Sequence, residues 1–261
     1  MKKNLPVVLL SASLALSCAT SPTGKSQLKL VSDSQMAALG TDAYAKLKEE
    51  TPISKDQQAI AYVSCVANAI TREVTEQTTW EVTLFDDKQV NAFALPGGKI
   101  GVYTGLLEVA ETQDQLASVL GHEVGHVLAR HGNARYSANI ASQIGLIAAA
   151  VALGESTGES GLALAALGIG LQVGVLMPYG RAHESEADVI GLDLMARAGF
   201  DPRGSVELWR NMSEEGGSQP PEFLSTHPSH ERRINDLNNK MAGALQTSER
   251  ARQQGKMPNC G

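Results

Sequence analysis

The chain has 261 residues, of which 43% are hydrophobic and 19% are charged, a composition typical of a globular protein that can bury a core. The formal net charge is −6, aromatic residues make up only 4%, and basic residues occur in runs of two at most. These properties exclude a surface that binds nucleic acid through positive charge and base stacking, so no nucleic-acid partner is expected.

The first residues have the pattern of a targeting signal. Lys2 and Lys3 form a positive start, and an apolar run follows from Leu5 to Leu16. This run is too short to span a bilayer as a permanent helix. We therefore predict a signal peptide over residues 1–17.

Cys18 follows a stretch of small residues that resembles the lipobox of bacterial lipoproteins, in which the cysteine is lipidated. The match departs from the motif at Ala15, where leucine is usual, and cleavage with secretion of a soluble protein is the alternative. Ala19 stands where an aspartate would favour retention in the inner membrane. The expectation is therefore a lipid anchor in the outer membrane, facing the periplasm, with residues 18–32 as a polar tether.

The other two cysteines form an even pair in an oxidising compartment if Cys18 carries lipid. A disulfide between Cys65 and Cys260 would tie a C-terminal tail (247–261) to an early helix. The alternative is two unrelated thiols, one in a helix and one at a frayed end.

Two helices are predicted first, from Asp33 to Glu50 before Pro52, and from a cap at Ser54 to about Glu76. Short strands follow at 80–86, 91–96 and 99–104, with Gly97 and Gly98 suited to the positive backbone angles of a tight hairpin between the last two. The rest of the chain is expected to be mostly helical. The fold class is therefore α+β, predominantly helical, with one small sheet.

Two segments, 140–153 and 161–177, are rich in alanine, glycine and larger apolar residues. We interpret them as a pair of packed core helices. The alternative is a helical hairpin that contacts the membrane or an unfolded protein.

The stretch "SVLGHEVGHVLARHG" (118–132) contains the pattern H-E-x-x-H. On a helix, His122 and His126 point the same way one turn apart, and Glu123 lies one step round. Two imidazoles can then hold a metal ion while the carboxylate acts as general base toward a water molecule.

The helical context supports this interpretation. Thr112 or Asp114 can cap the helix, and Gly121 and Gly125 are unfavourable in a helix unless another backbone approaches closely. Ionisable groups on a buried face are costly without partners, and a dication offsets that cost.

A catalytic zinc needs a third protein ligand. The candidate is Glu184 in "RAHESEADVIGLDLMARAG" (181–199), with Asp188 one turn later to accept the N–H of a histidine ligand. Taken alone, these acids would be read as a solvated helix face paired with Arg181. The upstream histidine helix favours the metal site.

Together "HEVGH", "RAHESEAD", "STHP" and the upstream "NAFALPGGKIGVYTGLL" resemble the zinc metallopeptidases of the HtpX and CaaX-prenyl-protease type, which are gluzincins. With the lipoprotein signal, the chain resembles the periplasmic BepA-like and LoiP-like lipoprotein proteases. The resemblance implies a zincin-type metallopeptidase domain over residues 33–246. It covers about residues 80 to 235, without the transmembrane helices of the HtpX branch or the helical repeats of BepA-like members.

The resemblance implies one zinc ion per chain, with His122, His126 and Glu184 as ligands. Glu123 is then the general base, and Asp188 orients a histidine ligand. The strand that contains Asn91, Ala92 and Phe93 is expected at the rim of the cleft, where an extended substrate could add to the sheet edge.

His227 and Arg233, in "STHPSHERRI" (225–234), match a histidine and an arginine of the family. His227 could donate a hydrogen bond to the oxyanion, or it could occupy the open metal position and keep the enzyme latent. A loop histidine without a role is the third interpretation. The remaining histidines, His131, His183 and His230, are predicted to lie at the surface.

These residues predict a zinc-dependent metalloendopeptidase that cleaves unfolded or misassembled envelope proteins. Two alternatives remain: a zinc-stabilised, chaperone-like lipoprotein that binds unfolded outer-membrane proteins without cleaving them, and a scaffold without metal. Glu123 argues against the first, because a purely structural metal site has no use for a general base.

Overall fold

The computed structural model of the protein describes residues 18–76, 78–152, 180–215, 222–227 and 231–261. Within these ranges the chain is mostly helical, with one three-stranded sheet and one two-stranded hairpin. The predicted α+β class with predominant helix is confirmed.

The N-terminal segment is not the unstructured tether that its polar sequence predicts. Strands β1 (Cys18–Thr20) and β2 (Ser26–Leu28) pair in antiparallel fashion and form a hairpin. Its connecting turn is closed by the hydrogen bond from Ser21 N–H to the Lys25 carbonyl (2.8 Å), and the Ser21 side chain is buried. Tertiary contacts with distant residues order this segment, and a local sequence pattern cannot reveal them.

Helix α1 (Asp33–Glu50) has the predicted bounds. It begins at Ser32, whose hydroxyl accepts the N–H of Gln35 while the Gln35 side chain accepts the Ser32 N–H, a capping box. Helix α2 (Gln57–Thr71) is shorter at both ends than predicted. Its cap is Asp56 rather than Ser54, since the Asp56 carboxylate accepts two N–H groups of the first turn. At the other end, hydrogen bonds of the i→i+3 type tighten the chain into a turn after Thr71.

The small sheet contains β3 (Glu81–Phe85), β4 (Ala92–Leu95) and β5 (Lys99–Tyr103), as predicted to within a residue or two. The order is β3-β5-β4, with β3 parallel and β4 antiparallel to β5. Gly97 and Gly98 have φ angles of +88° and +74°, which confirms their role in the hairpin turn. In this order, strand β4 lies at an edge of the sheet, and it packs beside the long helix that contains His122.

The helices after the sheet are α3 (Leu106–Val109), α4 (Gln113–Leu128), α5 (His131–Ala152), α6 (Arg181–Arg197), α7 (Gly204–Glu215), α8 (Glu222–Thr226) and α9 (Glu231–Gln253). Helix α4 is central and buried along most of its length, packed against α2, α6, α7 and β4. Thr112 caps it, whereas Asp114 instead accepts the N–H of Asp201 at 2.7 Å.

Helices α4 and α6 cross in very close contact because glycines face each other. A Cβ atom on Gly121 would lie 2.8 Å from the carbonyl oxygen of Gly191, and one on Gly125 would lie 2.9 Å from that of Ala187. The glycines that weaken α4 as an isolated helix thus permit the approach of α6, as the sequence predicts.

The C-terminal residues are fastened to the domain. Helix α9 continues past the predicted boundary at 246 and ends at Gln253. Cys65 and Cys260 form a disulfide with a Cα–Cα distance of 5.5 Å, and the Cys260 N–H also donates to Gln113 Oε1 at 2.9 Å. Cys18 is exposed and not part of the disulfide.

Most of the two apolar segments predicted at 140–153 and 161–177 lies outside the described residues, apart from the backbone of α5 as far as Ala152. Among the helices of the described ranges, none combines the length and apolarity needed to cross a membrane.

Candidate metal centre

Helix α4 presents two buried histidines toward the same point. His122 and His126, one turn apart, have their Nε2 atoms 3.0 Å from each other. This is the convergence that the spacing predicts.

Helix α6 adds Glu184 to this pair. Its Oε1 lies 3.4 Å from His126 Nε2, and its Oε2 lies 3.5 Å from His122 Nε2. The carboxylate is 1% exposed, although it lies on a different helix, far from the histidines in sequence. The glycine-mediated crossing of α4 and α6 is what brings it within this distance.

His227 is the fourth member of the cluster and follows directly after α8. Its Nδ1 lies 3.2 Å from both His122 Nε2 and Glu184 Oε1, and its ring stacks on Phe223 with 4.6 Å between centroids. One ligand atom from each of the four side chains lies within 4.8 Å of all the others. The structure thus brings together all three predicted ligands and the late histidine.

Asp188 and Arg233 support the cluster from behind. Asp188 Oδ1 lies 2.9 Å from His122 Nδ1, and Arg233 donates to both Asp188 oxygens at 2.7 Å. The same guanidinium reaches Glu184 Oε2 at 2.8 Å and covers the Trp209 ring at 4.2 Å. Arg233 therefore holds two carboxylates in position.

The electrostatics of the cluster favour a cation. Burial alone would lower the pKa of His122, but the adjacent Asp188 and Glu184 carboxylates outweigh it and raise that pKa to about 9. Burial would likewise raise the pKa of Glu184, yet hydrogen bonds from His122 and His126 hold it far below its usual range. The site therefore stabilises positive charge between its ligand atoms.

The tautomer of His122 is compatible with a metal ion in the cluster. With its Nδ1–H directed at Asp188, a neutral His122 has its lone pair on Nε2, facing His126 Nε2 at 3.0 Å. A proton or a metal cation must therefore lie between these two nitrogen atoms. A buried donor set of three imidazoles and one carboxylate fits a divalent metal ion, and the structure indicates such a site.

Glu123 lies beside the cluster, not in it. Its carboxylate is 2% exposed, Oε1 is 3.4 Å from His227 Nε2, and the backbone N–H of Ala94 donates to it. Burial raises its pKa, although His227 and His122 oppose the shift. Within the described part of the chain, Oε1 has no hydrogen-bond partner, so the oxygen can accept a proton from a small molecule placed at the cluster.

The predicted substrate strand borders the site, although its side chains are buried. Ala92 and Ala94 face the helices, whereas Phe93 packs on the other side of the sheet in an aromatic cluster with Tyr44 and Phe85. Strand β4 starts at Ala92, so Asn91 lies just before the strand. The Oδ1 atom of Asn91 is buried without a hydrogen-bond partner among the described residues. A substrate could contact this strand through its backbone only.

The prediction that His131 lies at the surface is wrong. His131 is completely buried, and its Nδ1 lies 3.0 Å from His126 Nδ1. His183, also predicted at the surface, is partly buried and stacks on His131 at 4.2 Å, while His230 lies outside the described residues. The only sequence signal was that His131 follows His126 by five residues, and helical periodicity puts such a pair on different faces.

Comparison with known proteins agrees with this geometry. The model for "Peptidase family M48" matches residues 54–241, well over half of the chain. The chain belongs to peptidase family M48. This confirms the predicted metallopeptidase resemblance, and the matched M48 region contains every member of the cluster.

Two groups of curated relatives match this M48 chain. "Mitochondrial metalloendopeptidase OMA1" of Schizosaccharomyces pombe is 38% identical over 160 residues, covering 60% of this chain and 45% of the relative. The Arabidopsis thaliana protein of the same name is 35% identical over 210 residues, covering 78% and 41%. "Beta-barrel assembly-enhancing protease" of Escherichia coli is 27% identical over 256 residues, covering 92% and 52%. The chain thus spans about half the length of the curated relatives that it matches.

Proposed function

We propose that this M48 chain is a zinc-dependent metalloendopeptidase that hydrolyses peptide bonds of unfolded or misassembled envelope proteins. One observation supports the proposal above all others. His122, His126 and Glu184 come from two helices far apart in sequence and converge in a buried cluster, directly beside the carboxylate of Glu123.

The residues divide into ligands and a base. His122, His126 and Glu184 would hold one zinc ion, since imidazole and carboxylate groups are common zinc ligands. A zinc ion held there would supply Lewis-acid chemistry toward a carbonyl group and a water molecule. Glu123 would take a proton from the attacking water and deliver it to the leaving amine, for which its raised pKa is suited.

Asp188 and Arg233 hold the ligands in place. Asp188 keeps the proton of His122 on Nδ1 and so directs the Nε2 lone pair into the cluster. The guanidinium of Arg233 balances the charges of Asp188 and Glu184, both buried. Neither residue needs to touch the substrate.

We further propose that His227 keeps the resting enzyme latent. Its Nδ1 lies among the ligand atoms, and its Nε2 lies 3.4 Å from Glu123 Oε1, so the ring occupies the space that substrate and water require. A role in binding the oxyanion would instead need the ring to move away from the ligands during the reaction. The geometry therefore supports latency over assistance.

Substrates would bind along β4 and the cleft beside it. A cleft of about 220 Å³ lies next to His126 and is lined by Ala94, Pro96 and Val127, with Asp33, Glu76 and Arg130 among its other lining residues. Backbone contacts with an edge strand select extended segments with little regard to sequence. This favours unfolded proteins as substrates.

Location is proposed from the N-terminal sequence. The signal-like residues 1–17 and the exposed Cys18 support export to the periplasm and a lipid anchor, with the outer membrane as the favoured site. Labelling of the chain with a radioactive fatty acid, lost on Cys18→Ser, tests the anchor.

The mechanism is tested with Glu123→Gln in the wild-type chain and in a His227→Ala background, where latency is removed. We expect full zinc content but casein cleavage reduced by about 10²–10⁴-fold. Glu108→Gln, a change of the same type outside the cluster, is the matched control. Undiminished cleavage by the Glu123→Gln variant would refute the mechanism, and suppressed aggregation without cleavage by the parent chain would favour the chaperone-like alternative.

A further inference from the structure

The two histidines of α4 differ in how they are supported. His122 contacts a carboxylate directly, through Asp188. The Nδ1 of His126 faces another imidazole instead, that of the buried His131 at 3.0 Å. The Nε2 of His131 in turn lies 3.3 Å from Glu186 Oε2. We name the chain His126–His131–Glu186 the relay.

The direction of the protons in the relay follows from ligand chemistry. A neutral His126 that offers the Nε2 lone pair to a metal must carry its proton on Nδ1. The Nδ1 atom of His131 must then accept a hydrogen bond from that N–H group. His131 carries its own proton on Nε2, directed at the Glu186 carboxylate. Through two hydrogen bonds the charge of Glu186 thus fixes the tautomer of His126 and makes it a stronger ligand.

A break between two helices makes the relay possible. On a continuous helix, a residue five positions after His126 would point about 140° away from it. Helix α4 ends at Leu128, Arg130 has a φ angle of +57°, and α5 begins at His131. Non-glycine residues rarely adopt this left-handed conformation. The reversal that Arg130 produces turns the His131 ring back against His126.

The far end of the relay is held by the N-terminal hairpin. Ser21 Oγ donates to Glu186 Oε1 at 2.5 Å, Thr23 Oγ1 donates to the same oxygen, and Lys25 Nζ lies 3.4 Å from Oε2. The three hairpin residues therefore satisfy and orient a carboxylate that is 3% exposed. They lie shortly after Cys18, the predicted site of lipid attachment.

We propose that His131 is a positioning residue for His126 and that the hairpin, by holding Glu186, sets the metal affinity of the site. This inference rests on the proposed zinc site. A hairpin that leaves the domain would release Glu186 and weaken metal binding without touching any ligand. Metal loading is thereby coupled to the arrangement of the segment next to the anchor.

The test measures zinc affinity of the full chain by competition with a chromogenic chelator, together with the visible spectrum of the Co²⁺-loaded protein. His131→Leu should lower the affinity by about 10–100-fold and change the Co²⁺ spectrum. His131→Gln should recover most of the loss, because its amide can accept from His126 and donate to Glu186. Equal affinity in the wild type and the His131→Leu variant would overturn the proposal.

The hairpin is tested with Ser21→Ala/Thr23→Val, which removes both hydroxyl donors to Glu186. The matched control is Thr20→Val/Ser26→Ala, which makes the same changes on exposed positions of the same hairpin. The first variant should lose about tenfold in zinc affinity and the control none. In the His131→Leu background the hairpin variant should have no further effect, since both act through one relay.

Thermal unfolding of the metal-free proteins identifies any variant that has lost its fold. If the His131→Leu variant has lost its fold, the hairpin variants test the coupling instead, because they alter no residue of the helical core. Equal losses in the test and control hairpin variants, or additive losses with His131→Leu, would overturn the coupling. A wild-type chain that binds no zinc would overturn the proposed function as well, whereas zinc binding that is indifferent to the relay would overturn this inference alone.

Discussion

Replacing Gly191 with alanine should separate the two halves of the metal cluster. A Cβ atom there would lie 2.6 Å from His122 N and 2.7 Å from the Gly121 carbonyl carbon, both rigid backbone atoms. Contact distances of about 3.5–4 Å between such atoms require α6 to move by roughly 1 Å. Glu184 and Asp188 lie on α6, so they would move away from His122 and His126.

Overpacking of this kind costs about 1–3 kcal/mol, against which the better helix propensity of alanine returns about 1 kcal/mol. We therefore expect the free energy of unfolding to fall by up to about 2 kcal/mol, and zinc affinity to fall by at least about tenfold.

Urea unfolding of the metal-free chain, followed by circular dichroism, measures the first quantity, and chelator competition measures the second. Gly243→Ala is the control, because that glycine lies within α9 with open space around its Cβ position and should gain about 0.5–1 kcal/mol. A Gly191→Ala chain with wild-type stability and zinc affinity would refute the argument that close approach of the helices assembles the site.

His227→Ala should raise casein cleavage by a zinc-loaded chain if the ring blocks the site, while lost activity would support oxyanion binding and no change would dismiss both roles. Cys260→Ser should lower the free energy of unfolding by about 2–5 kcal/mol. Urea titration under non-reducing conditions measures this loss, with Cys18→Ser as the control. An unchanged urea midpoint would show that the disulfide does not stabilise the fold. Burial would raise the pKa of Glu186, but hydrogen bonds from Ser21, Thr23 and His131 lower it to about 2. The ionised carboxylate therefore adds stability above about pH 4.5, and this contribution is lost as the pH falls from there through about 2. The difference in free energy of unfolding between the wild type and Glu186→Gln should narrow over that interval. A difference that does not change with pH would contradict this prediction.

Local patterns identified much of the catalytic helix in advance. The spacing of His122 and His126 predicts one face of a helix, and the paired glycines predict a close helix neighbour; both follow from the geometry of about 3.6 residues per turn. Strand bounds and the turn at Gly97–Gly98 were equally accessible, because backbone angles there depend on the residues themselves.

Other features depended on contacts between residues far apart in the chain. No periodicity in residues 18–32 predicts a docked hairpin, since Ser21 binds to Glu186, which lies 165 residues later in the chain. The burial of His131 results from the left-handed conformation of Arg130, which lies between two helices. Sequence periodicity predicts one continuous helix over this stretch. The partnership of Arg233 with Asp188 and Glu184 likewise appears only once α6 and α9 pack together.

The amino-acid sequence by itself thus determined the helices that carry the candidate ligands and the candidate base, because these helices follow from local spacing and side-chain chemistry. Only the tertiary structure decided how far apart those groups lie, which side chains orient them and that His227 lies among them. Such distances are set by the packing of whole helices, and that packing depends on every contact in the core at once.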